Sequence, residues 1–416
     1  MFLRLFCSAV VLLSMSEMAS ADDWPRFLGP DALAADPDAS VPLTWSESQN
    51  VRWKAPIGAG SSSPVVHGDR VFVTSYDGQG EAVTRTLHAF DLETGKELWT
   101  FDVANEGYED PARGFLTEHG YASNTPATDG QTVYAFFGKM GVFALEAATG
   151  EQKWRSDVGK RSSNREWGSA SSVVLTGDLV IVNASDEARA VIAFDAATGQ
   201  EKWRAAGEGT DMTYNTPAID EKHNEAIFAV PGELWGIDLA SGTLNWFAET
   251  VVGGNVSPSP ILRDGTVTVF GGIRAAGSQR FPAGGFGNMS GEDLWSARTS
   301  SYVATPLLHD GHFYWIDDRG IAYCMTADDG EVVYQERVRE IQAGGRPVYA
   351  SPVLAGDKIV VVTRFDGVLV LPAEPRFEVL AQNRFAGDES DFSGTPAVLE
   401  DGLLIRGGEF LYRIGE

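Results

Sequence analysis

Cysteine is scarce in this sequence, because only Cys7 and Cys324 occur among 416 residues. Cys7 lies in an N-terminal stretch that we expect to be removed, so Cys324 has no partner for an internal disulfide. A haem group attached through a C-x-x-C-H motif is excluded for the same reason. The stability of the folded chain must therefore come from packing.

Long apolar runs are also missing. The stretch from Leu5 to Leu13 is much shorter than the about 20 apolar residues of a membrane-spanning helix. Arg4 precedes this stretch and the small residues Ala19-Ser20-Ala21 follow it, which predicts a secretory signal peptide over residues 1–21. No cysteine stands at the cleavage point to receive a lipid. We expect a soluble exported protein, periplasmic or secreted, rather than a lipid-anchored one.

Positive charge is in short supply, since 32 Lys and Arg face 58 Asp and Glu, for a net charge of −26. A field of this sign repels nucleic acid and anionic membrane surfaces. We therefore expect a protein or small-molecule ligand as partner, no nucleic acid and no transmembrane segment, and we expect the chain to be a monomer.

Catalytic and metal-binding signatures are absent too. The sequence contains no G-x-S-x-G elbow, no phosphate-binding P-loop and no H-E-x-x-H motif. His309 and His312 are spaced like metal ligands, but they flank the turn Asp310-Gly311 and have no third ligand nearby, which zinc requires. We predict neither a catalytic residue nor a metal site.

What the sequence does contain is a repeat of about 45 residues. Its first anchor is a Ser or Thr followed by Pro and an apolar strand, and the anchors lie 43 to 46 residues apart except for a first interval of 62. That interval contains the polar insert 105–119. The anchors are Ser63, Thr125, Thr216, Ser259, Thr305, Ser351 and Thr395, with Ser171-Ser172 in the remaining place. Eight anchors predict eight repeats.

A second pattern closes most repeats, and it is clearest in Asp91-Leu92-Glu93-Thr94-Gly95 followed by Trp99. The Asp accepts hydrogen bonds from the turn and the Gly provides a positive φ. A small residue six positions before the Gly leaves room for a large ring between repeats, and Cys324 occupies this place in its repeat. We predict that these rings join neighbouring repeats: Trp53, Trp99, Trp154, Trp203, Trp246, Trp295 and Tyr334.

Short alternating or β-branched runs between turns predict four strands per repeat. The fold class predicted is all-β, an eight-bladed β-propeller of four-stranded antiparallel blades. Only 21 residues follow Thr395, so the strand 50–55 is expected to complete the last blade and close the ring. The domains predicted are a signal peptide at 1–21, an N-terminal extension at 22–49 and the propeller at 50–416.

The D-x-x-T-G-x-x-x-W frames and the eight anchors resemble the pyrroloquinoline-quinone-like (PQQ-like) propeller repeat family over residues 50–416. The opening segment 24–30, Trp-Pro-Arg-Phe-Leu-Gly-Pro, is similar to that of uncharacterised exported bacterial propellers. More distant relatives are the outer-membrane barrel-assembly propeller lipoprotein and the quinoprotein dehydrogenases. The dehydrogenases imply PQQ with Ca²⁺ and adjacent cysteines, whereas this sequence has no Cys-Cys pair and no stretch that matches the Ca²⁺ ligands.

Residues just before the anchors are expected at one mouth of the central channel. Aromatic rings interleaved with amides suit a sugar, a quinone or a peptide, although the same rings would also plug the channel and pack the blades. The candidate ligand-binding residues are His119, Tyr121, Asn124, Trp167, Tyr214, Asn215, Tyr302, Tyr349 and Phe392. Arg274 and Arg280, in an insert from about residue 271 to 291, are a candidate lid or an ordinary surface loop.

The function favoured by these observations is a non-catalytic exported scaffold that binds a small ligand, a glycan or a protein partner at the channel mouth, without a cofactor. Two alternatives stay open. One is a divergent PQQ-dependent oxidoreductase, in which the cofactor supplies the chemistry. The other is an envelope or outer-membrane assembly factor.

Overall fold

The computed structural model of the chain describes residues 23–273 and 276–416. These residues form eight sheets, and each blade runs from an inner to an outer strand around a central channel. The predicted all-β, eight-bladed propeller is confirmed. The segment predicted to be a signal peptide lies outside the described residues, and within them no helix is long and apolar enough to cross a membrane.

Two strands precede the first blade, β1 (Ala35–Asp36) and β2 (Val51–Pro56). Blades 1 to 4 follow one another along the chain. From inside to outside their strands are β3 (Val65–His67), β4 (Arg70–Asp77), β5 (Thr84–Asp91) and β6 (Glu97–Ala104); β7 (Ala127–Thr128), β8 (Thr132–Phe136), β9 (Val142–Glu146) and β10 (Gln152–Ser156); β11 (Val174–Thr176), β12 (Leu179–Ala184), β13 (Ala190–Asp195) and β14 (Glu201–Ala206); and β15 (Ala218–Asp220), β16 (Glu225–Val230), β17 (Glu233–Asp238) and β18 (Leu244–Glu249).

Blades 5 to 8 repeat this order. Their strands are β19 (Ile261–Arg263), β20 (Thr266–Gly271), β21 (Gly277–Pro282) and, after the short β22 (Gly287–Asn288), β23 (Trp295–Ala297); β24 (Leu307–His309), β25 (His312–Ile316), β26 (Ile321–Thr326) and β27 (Val332–Arg337); β28 (Val353–Ala355), β29 (Lys358–Val362), β30 (Val368–Pro372) and β31 (Ala381–Asn383); and β32 (Ala397–Leu399), β33 (Gly402–Arg406) and β34 (Phe410–Gly415). The helices are α1 (Leu116–His119), α2 (Ser185–Ala188) and 3₁₀ turns at Gly80–Ala82, Gly138–Met140 and Glu208–Thr210.

The ring is closed by its first and last strands. Strand β2 pairs antiparallel with β34, so that Val51 lies opposite Ile414 and Trp53 opposite Arg413. This pairing gives blade 8 its fourth, outermost strand, as the sequence predicts. The closure leaves no unpaired edge on β34, where another chain would otherwise add a strand.

The hydrophobic core is divided among the spaces between neighbouring blades. One cluster, for example, joins Tyr134 and Phe136 of blade 2 to Val180 and Ile192 of blade 3. Because the middle strands are covered on both faces, they are apolar throughout rather than alternating, as in the wholly buried β12. The blades therefore stabilise one another in series around the ring.

Indole rings connect one blade to the next. In five places the Trp Nε1 donates to a backbone carbonyl of the following blade at 2.7–3.1 Å, and the ring lies against a glycine of the same turn. Each Trp is given with its acceptor and its glycine: Trp53 with Leu92 and Gly95, Trp99 with Ala147 and Gly150, Trp154 with Ala196 and Gly199, Trp203 with Leu239 and Gly242, and Trp295 with Ala327 and Gly330.

Two of the seven predicted rings depart from this geometry. The indole of Trp246 lies on Gly236 of its own blade and donates to Glu225 Oε2 at 2.8 Å, while the ring still packs in the cluster between blades 4 and 5. The Tyr334 ring lies 5.8 Å from that of Phe377 in blade 7. Both departures occur where the following blade lacks the usual glycine turn.

The anchor hydroxyls form a chain of hydrogen bonds around the channel. In seven consecutive links, an anchor hydroxyl accepts the backbone N–H of the anchor in the preceding blade at 2.9–3.2 Å. The series starts at the N–H of Ser63 and runs through Thr125, Ser172, Thr216, Ser259, Thr305 and Ser351 to Thr395. In blade 3 this residue is Ser172, which no proline follows, rather than Ser171. These bonds satisfy buried N–H groups that face no strand partner.

The N-terminal extension crosses one end of the channel. Trp24 exchanges backbone hydrogen bonds with Val66 at the end of β3, and Pro25 accepts from Thr128 at the end of β7. Farther along, β1 pairs in parallel with β28 of blade 7. The extension therefore spans the ring at the ends of the inner strands. The channel mouth formed by the loops just before the anchors lies at the opposite end.

Candidate functional site: the channel cavity and its groove

A cavity of about 160 Å³ lies in the channel. All eight blades contribute their anchor to its wall: Ser63, Thr125, Ser172, Thr216, Ser259, Thr305, Ser351 and Thr395. The Phe27 ring also lines the cavity. Because Phe27 belongs to the segment that crosses the ends of the inner strands, its side chain closes the cavity at that end. The channel is a pocket with one mouth.

Five of the nine predicted ligand-binding residues meet at this cavity, namely His119, Trp167, Tyr214, Tyr302 and Tyr349. The ring centroids of Trp167 and Tyr214 are 6.2 Å apart. His119 ends α1 and the other four residues lie on loops; each of these segments leads into an inner strand, because the anchor that follows turns the chain into the channel. The loops therefore bring together side chains that are far apart in the sequence.

The other four point elsewhere. The Tyr121 hydroxyl donates to the Asp110 carbonyl at 2.9 Å, and its ring is buried beside Leu116. The Asn124 amide donates to the Ser171 carbonyl at 2.6 Å, and that of Asn215 to Ala229 at 2.6 Å. Phe392 stacks on Phe385 at 5.4 Å. These four side chains stabilise the loops by contacts on the side that faces away from the cavity.

Of the two residues of the predicted lid, the structure describes only Arg280. Arg280 is on β21, where its guanidinium contacts Thr266 and the Ala327 carbonyl, so it joins blades 5 and 6 and covers no mouth. Arg274 lies outside the described residues. Between β21 and β23 the chain forms β22, which extends the outer edge of blade 4 in parallel with β18.

The mouth is instead covered by the insert 105–119, which ends in α1. Phe115 of this insert packs edge-on against Trp167, with ring centroids 4.3 Å apart. On its other side, the Arg346 guanidinium lies 4.1 Å from the centre of the Phe115 ring. Since Trp167 precedes blade 3 and Arg346 precedes blade 7, the insert bridges the mouth.

Glu118 holds α1 in this position. Its carboxylate accepts hydrogen bonds from Arg346 Nη1 at 2.7 Å, the Tyr349 hydroxyl at 2.5 Å and Arg364 Nη1 at 3.2 Å. Burial alone would raise the pKa of Glu118, but the hydrogen bonds from Tyr349 and Arg346 outweigh it and hold that pKa below its ordinary value. The carboxylate therefore stays charged and the contact persists at neutral pH.

The start of the insert is fixed by a buried cluster of charges. Lys139 Nζ lies 2.7 Å from Asp110 Oδ2, and Arg85 is paired with Glu109. Glu187 on α2 faces the same small space, and its Oε2 has no hydrogen-bond partner among the described residues. Burial raises the pKa of Glu187 well above its ordinary value, with the charge of Asp186 adding to the effect.

His119 is held as a neutral group. Its Nδ1 lies 2.8 Å from Ser123 Oγ and its Nε2 lies 2.9 Å from the Trp167 carbonyl. Desolvation lowers the pKa of the imidazole, more than its hydrogen bonds raise it. Both ring nitrogens are engaged, so His119 shapes the wall and is not poised to transfer a proton.

A separate trio in blade 1 has the order of a catalytic triad. Ser75 Oγ lies 2.7 Å from His88 Nε2, and His88 Nδ1 lies 2.8 Å from Glu97 Oε1. Ser75, however, is buried, and the backbone of Gly58 covers it closely enough that a Cβ there would be 3.1 Å from Ser75 Oγ. The Ser75 hydroxyl is therefore not exposed on the surface, and the three side chains connect strands β4, β5 and β6 of blade 1.

The cavity wall does not fit the quinone cofactor of the dehydrogenases. PQQ carries three carboxylates, yet the described wall includes no Lys or Arg, and burying unpaired charge is costly. Nor do the described residues contain a group of three His, Cys, Asp or Glu arranged to hold a metal ion. The wall offers hydroxyls and aromatic faces, which suit a neutral ligand.

The sequence pattern did not indicate three features of the site: Phe27, Phe115 and Asn255. The first two lie outside the repeat, so no periodicity points to them. Asn255 stands four residues before the Ser259 anchor, as Tyr121 does before Thr125, but it is not aromatic. Position relative to the anchor was the available signal.

A groove of about 490 Å³ leads into the cavity. The groove and the cavity share four wall residues, Phe115, Trp167, Asn255 and Tyr302. The outer part of the groove is more polar, and it includes Asp211, which pairs with Arg189 at 2.9 Å. If a ligand is too long for the cavity, the part that remains outside can lie in this groove.

Comparison with solved structures places the fold among PQQ-like propellers. BamB from Moraxella catarrhalis superposes with a TM-score of 0.60 at 13% identity, over 86% of this chain and 98% of that one. A europium-containing methanol dehydrogenase superposes with a TM-score of 0.69 at 12% identity, over 94% of this chain and 91% of that one. For the quinohemoprotein alcohol dehydrogenase from Comamonas testosteroni the TM-score is 0.63 at 13% identity, over 95% of this chain and 80% of that one. At these identities the likeness concerns the fold.

Sequence comparison is more specific. The outer membrane protein assembly factor BamB of Yersinia pestis is 23% identical over 371 residues, which cover 85% of each protein. A family model described as outer membrane protein assembly factor BamB matches residues 83–336, more than half of the chain. The chain therefore belongs to this family of PQQ-like propellers.

Proposed function

We propose that this chain is an exported propeller that binds a ligand at the channel mouth and carries out no chemistry there. One observation carries the proposal: His119, Trp167, Tyr214, Tyr302 and Tyr349, from different blades and an insert, converge on one pocket with an open groove. Pockets of this kind, apolar with a few convergent polar groups, are the usual binding sites of proteins.

The wall composition supports binding without catalysis. Among the described wall residues there is no Asp, Glu, Lys or Cys, so the usual nucleophiles and acid–base pairs are missing apart from hydroxyls and His119. The wall hydroxyls of the anchors accept backbone N–H groups, and His119 is bonded through both nitrogens. The anchor hydroxyls and His119 are thus held in place by the fold, and each anchor O–H can still donate to a bound ligand.

The test compares the purified mature chain with two variants in a thermal-shift screen of small molecules and glycans. Trp167→Ala removes a shared wall of cavity and groove. Phe286→Ala removes an aromatic ring that is 88% exposed on the outer rim and serves as the matched control. We expect compounds that stabilise the wild type and Phe286→Ala but not Trp167→Ala. Hits that stabilise all three proteins equally would place binding elsewhere and contradict the proposal.

Envelope assembly is the second candidate, favoured by the family and by the Yersinia pestis relative, both named as an outer membrane assembly factor. In this case the partner is a protein of the envelope. A photo-crosslinker is placed in the exported chain at Phe286 or beside Trp167. It should then capture one defined protein from intact cells. Capture at neither position, with the protein exported and folded, would remove this candidate.

A further inference from the structure

One buried hydrogen-bond acceptor at the junction of groove and cavity has no partner. Asn255 is 3% exposed, and its Oδ1 makes no hydrogen bond among the described residues. The side chain lines both the cavity and the groove. A buried amide oxygen is nearly always paired in folded proteins, so its position points to a group that is supplied from outside the chain.

The Asn255 amide is fixed in place. Its Nδ2 donates to the Tyr302 hydroxyl at 3.1 Å. The backbone of the next residue is held as well, because Val256 N donates to the Met212 carbonyl at 3.0 Å and Tyr214 N donates to the Val256 carbonyl at 2.8 Å. The acceptor oxygen is thus preorganised, which lowers the cost of binding a donor there.

The surroundings define the donor's chemistry. No charged side chain belongs to the described cavity wall, so a charged ligand would be buried without compensation. The wall instead combines ring faces and edges from Trp167, Tyr214 and Tyr302 with hydroxyls from every blade. Flat apolar rings beside many hydroxyls match a molecule with alternating C–H faces and O–H groups. A sugar ring has this character.

We infer that the cavity binds one ring of a neutral carbohydrate, with a sugar hydroxyl donating to Asn255 Oδ1 and the next units lying in the groove. This inference rests on the proposed function, since it names the ligand class of the same pocket. The cavity, at about 160 Å³, is smaller than the roughly 300–1,000 Å³ of pockets for drug-sized ligands. A single ring is therefore the unit that enters.

The test starts with an array of neutral and acidic glycans probed with the wild-type mature chain, and continues by calorimetry with the strongest neutral oligosaccharide. Asn255→Leu keeps the approximate size of the side chain and removes the acceptor. Asn288→Leu, on the outer edge of blade 4, is the matched control. We expect about tenfold weaker binding for Asn255→Leu and unchanged binding for Asn288→Leu.

A readout apart from binding distinguishes a ligand contact from a structural role. Asn255→Leu removes the Nδ2 hydrogen bond to the Tyr302 hydroxyl, but it also relieves the desolvation cost of the unpaired acceptor, and the two effects oppose each other. The melting temperature of Asn255→Leu should therefore stay close to that of the wild type. A clear fall in melting temperature would show that Asn255 supports the fold and would overturn the inference.

The outcomes separate the two proposals. Neutral glycans that bind the wild type but bind neither Trp167→Ala nor Asn255→Leu well support both. Acidic or non-carbohydrate compounds as the sole ligands sensitive to Trp167→Ala would overturn the carbohydrate and leave the binding site standing. If no compound or glycan responds to Trp167→Ala, both proposals fail.

Discussion

At the scale of single residues, the contacts between blades depend on glycines that accept an indole ring. Gly242 shows this most directly. It has φ of +72°, and a Cβ built on it would lie 2.8 Å from three ring and side-chain atoms of Trp203. The Trp203 indole meanwhile donates to Leu239 of the same turn at 2.7 Å. Conformation and space thus both demand glycine here.

Substitution of Gly242 separates these two demands. Gly265 has almost the same φ, +73°, but nothing lies within 4 Å of its Cβ position. We expect Gly265→Ala to lower the free energy of unfolding by about 1 kcal/mol through backbone strain. Gly242→Ala should cost about 1–3 kcal/mol more, because Trp203 must shift. Denaturant unfolding measures the free energy of unfolding of both variants. Equal decreases would show that the Trp203 ring can move away from Gly242 without cost.

The raised pKa of Glu187 leads us to expect that the free energy of unfolding depends on pH. Burial and the charge of Asp186 raise its pKa in the fold, so above its ordinary value of 4.5 the folded chain keeps a proton that the unfolded chain releases. Stability must then fall as pH rises from that value. Glu187→Gln should match the wild type near pH 4.5 and become more stable at higher pH, by about 1.4 kcal/mol per unit at most.

The measurement is denaturant unfolding of both proteins from pH 4.5 to 8, with Glu151→Gln, an exposed turn substitution, as control. The difference between Glu187→Gln and the wild type should level off once the pH exceeds the folded-state pKa of Glu187. A difference that stays constant across the range would mean that this carboxyl titrates normally in the fold.

At the scale of elements, the repeat and the inserts were predictable to different degrees. The blade order, the closing strand β2 and the docking of Trp99 follow from a pattern that recurs in register. The bond between Glu118 and Tyr349 joins residues 231 positions apart and belongs to no repeat, so no periodicity announces it. The same holds for Phe27, which closes the far end of the channel.

At the channel mouth, the orientation of some side chains was predictable from the repeat and that of others was not. Trp167, Tyr214 and Tyr302, each shortly before an anchor, line the cavity, whereas Tyr121, at a comparable position, turns toward Asp110. The 105–119 insert supplies the buried surface that draws Tyr121 away. Where an insert adds packing partners, position in the repeat ceases to determine which way a side chain faces.

The α1 segment should open when its carboxylate is neutralised. Glu118→Gln replaces charge-assisted bonds to Arg346 and Arg364 with weaker ones. We expect backbone amides of 114–120 to exchange with deuterium about tenfold faster, while the melting temperature changes little because the blades are untouched. Glu93→Gln, in an exposed turn, is the control. Unaltered exchange in 114–120 would show that Phe115 alone keeps the segment in place.

At the scale of the whole molecule, the charge of this chain is unfavourable for binding a small trianion such as PQQ. The net charge is −26, and the described channel wall is neutral. Such a molecule repels a small trianion at long range and has nothing in the described pocket to neutralise it. We therefore expect the chain not to bind PQQ, and the shared fold alone does not imply a dehydrogenase, because one fold can serve many functions.

Titration with PQQ and Ca²⁺ checks this conclusion. We expect no saturable quenching of tryptophan fluorescence and no reduction of an electron-accepting dye by alcohols or sugars. A quinoprotein dehydrogenase run in parallel shows that the reagents are active. Stoichiometric binding of the quinone by the mature chain would reinstate the oxidoreductase alternative.

The pairing of β2 with β34 also fixes when the protein can finish folding. Arg52 donates to the carbonyl of Glu416, 364 residues away, so the first strand of the ring waits for the last residues of the chain. Contacts this distant form slowly, because the intervening chain must first be ordered. During synthesis from the N-terminus, the ring would therefore stay open until blade 8 is complete. The channel cavity, whose wall takes an anchor from every blade, would be the last part of the molecule to form.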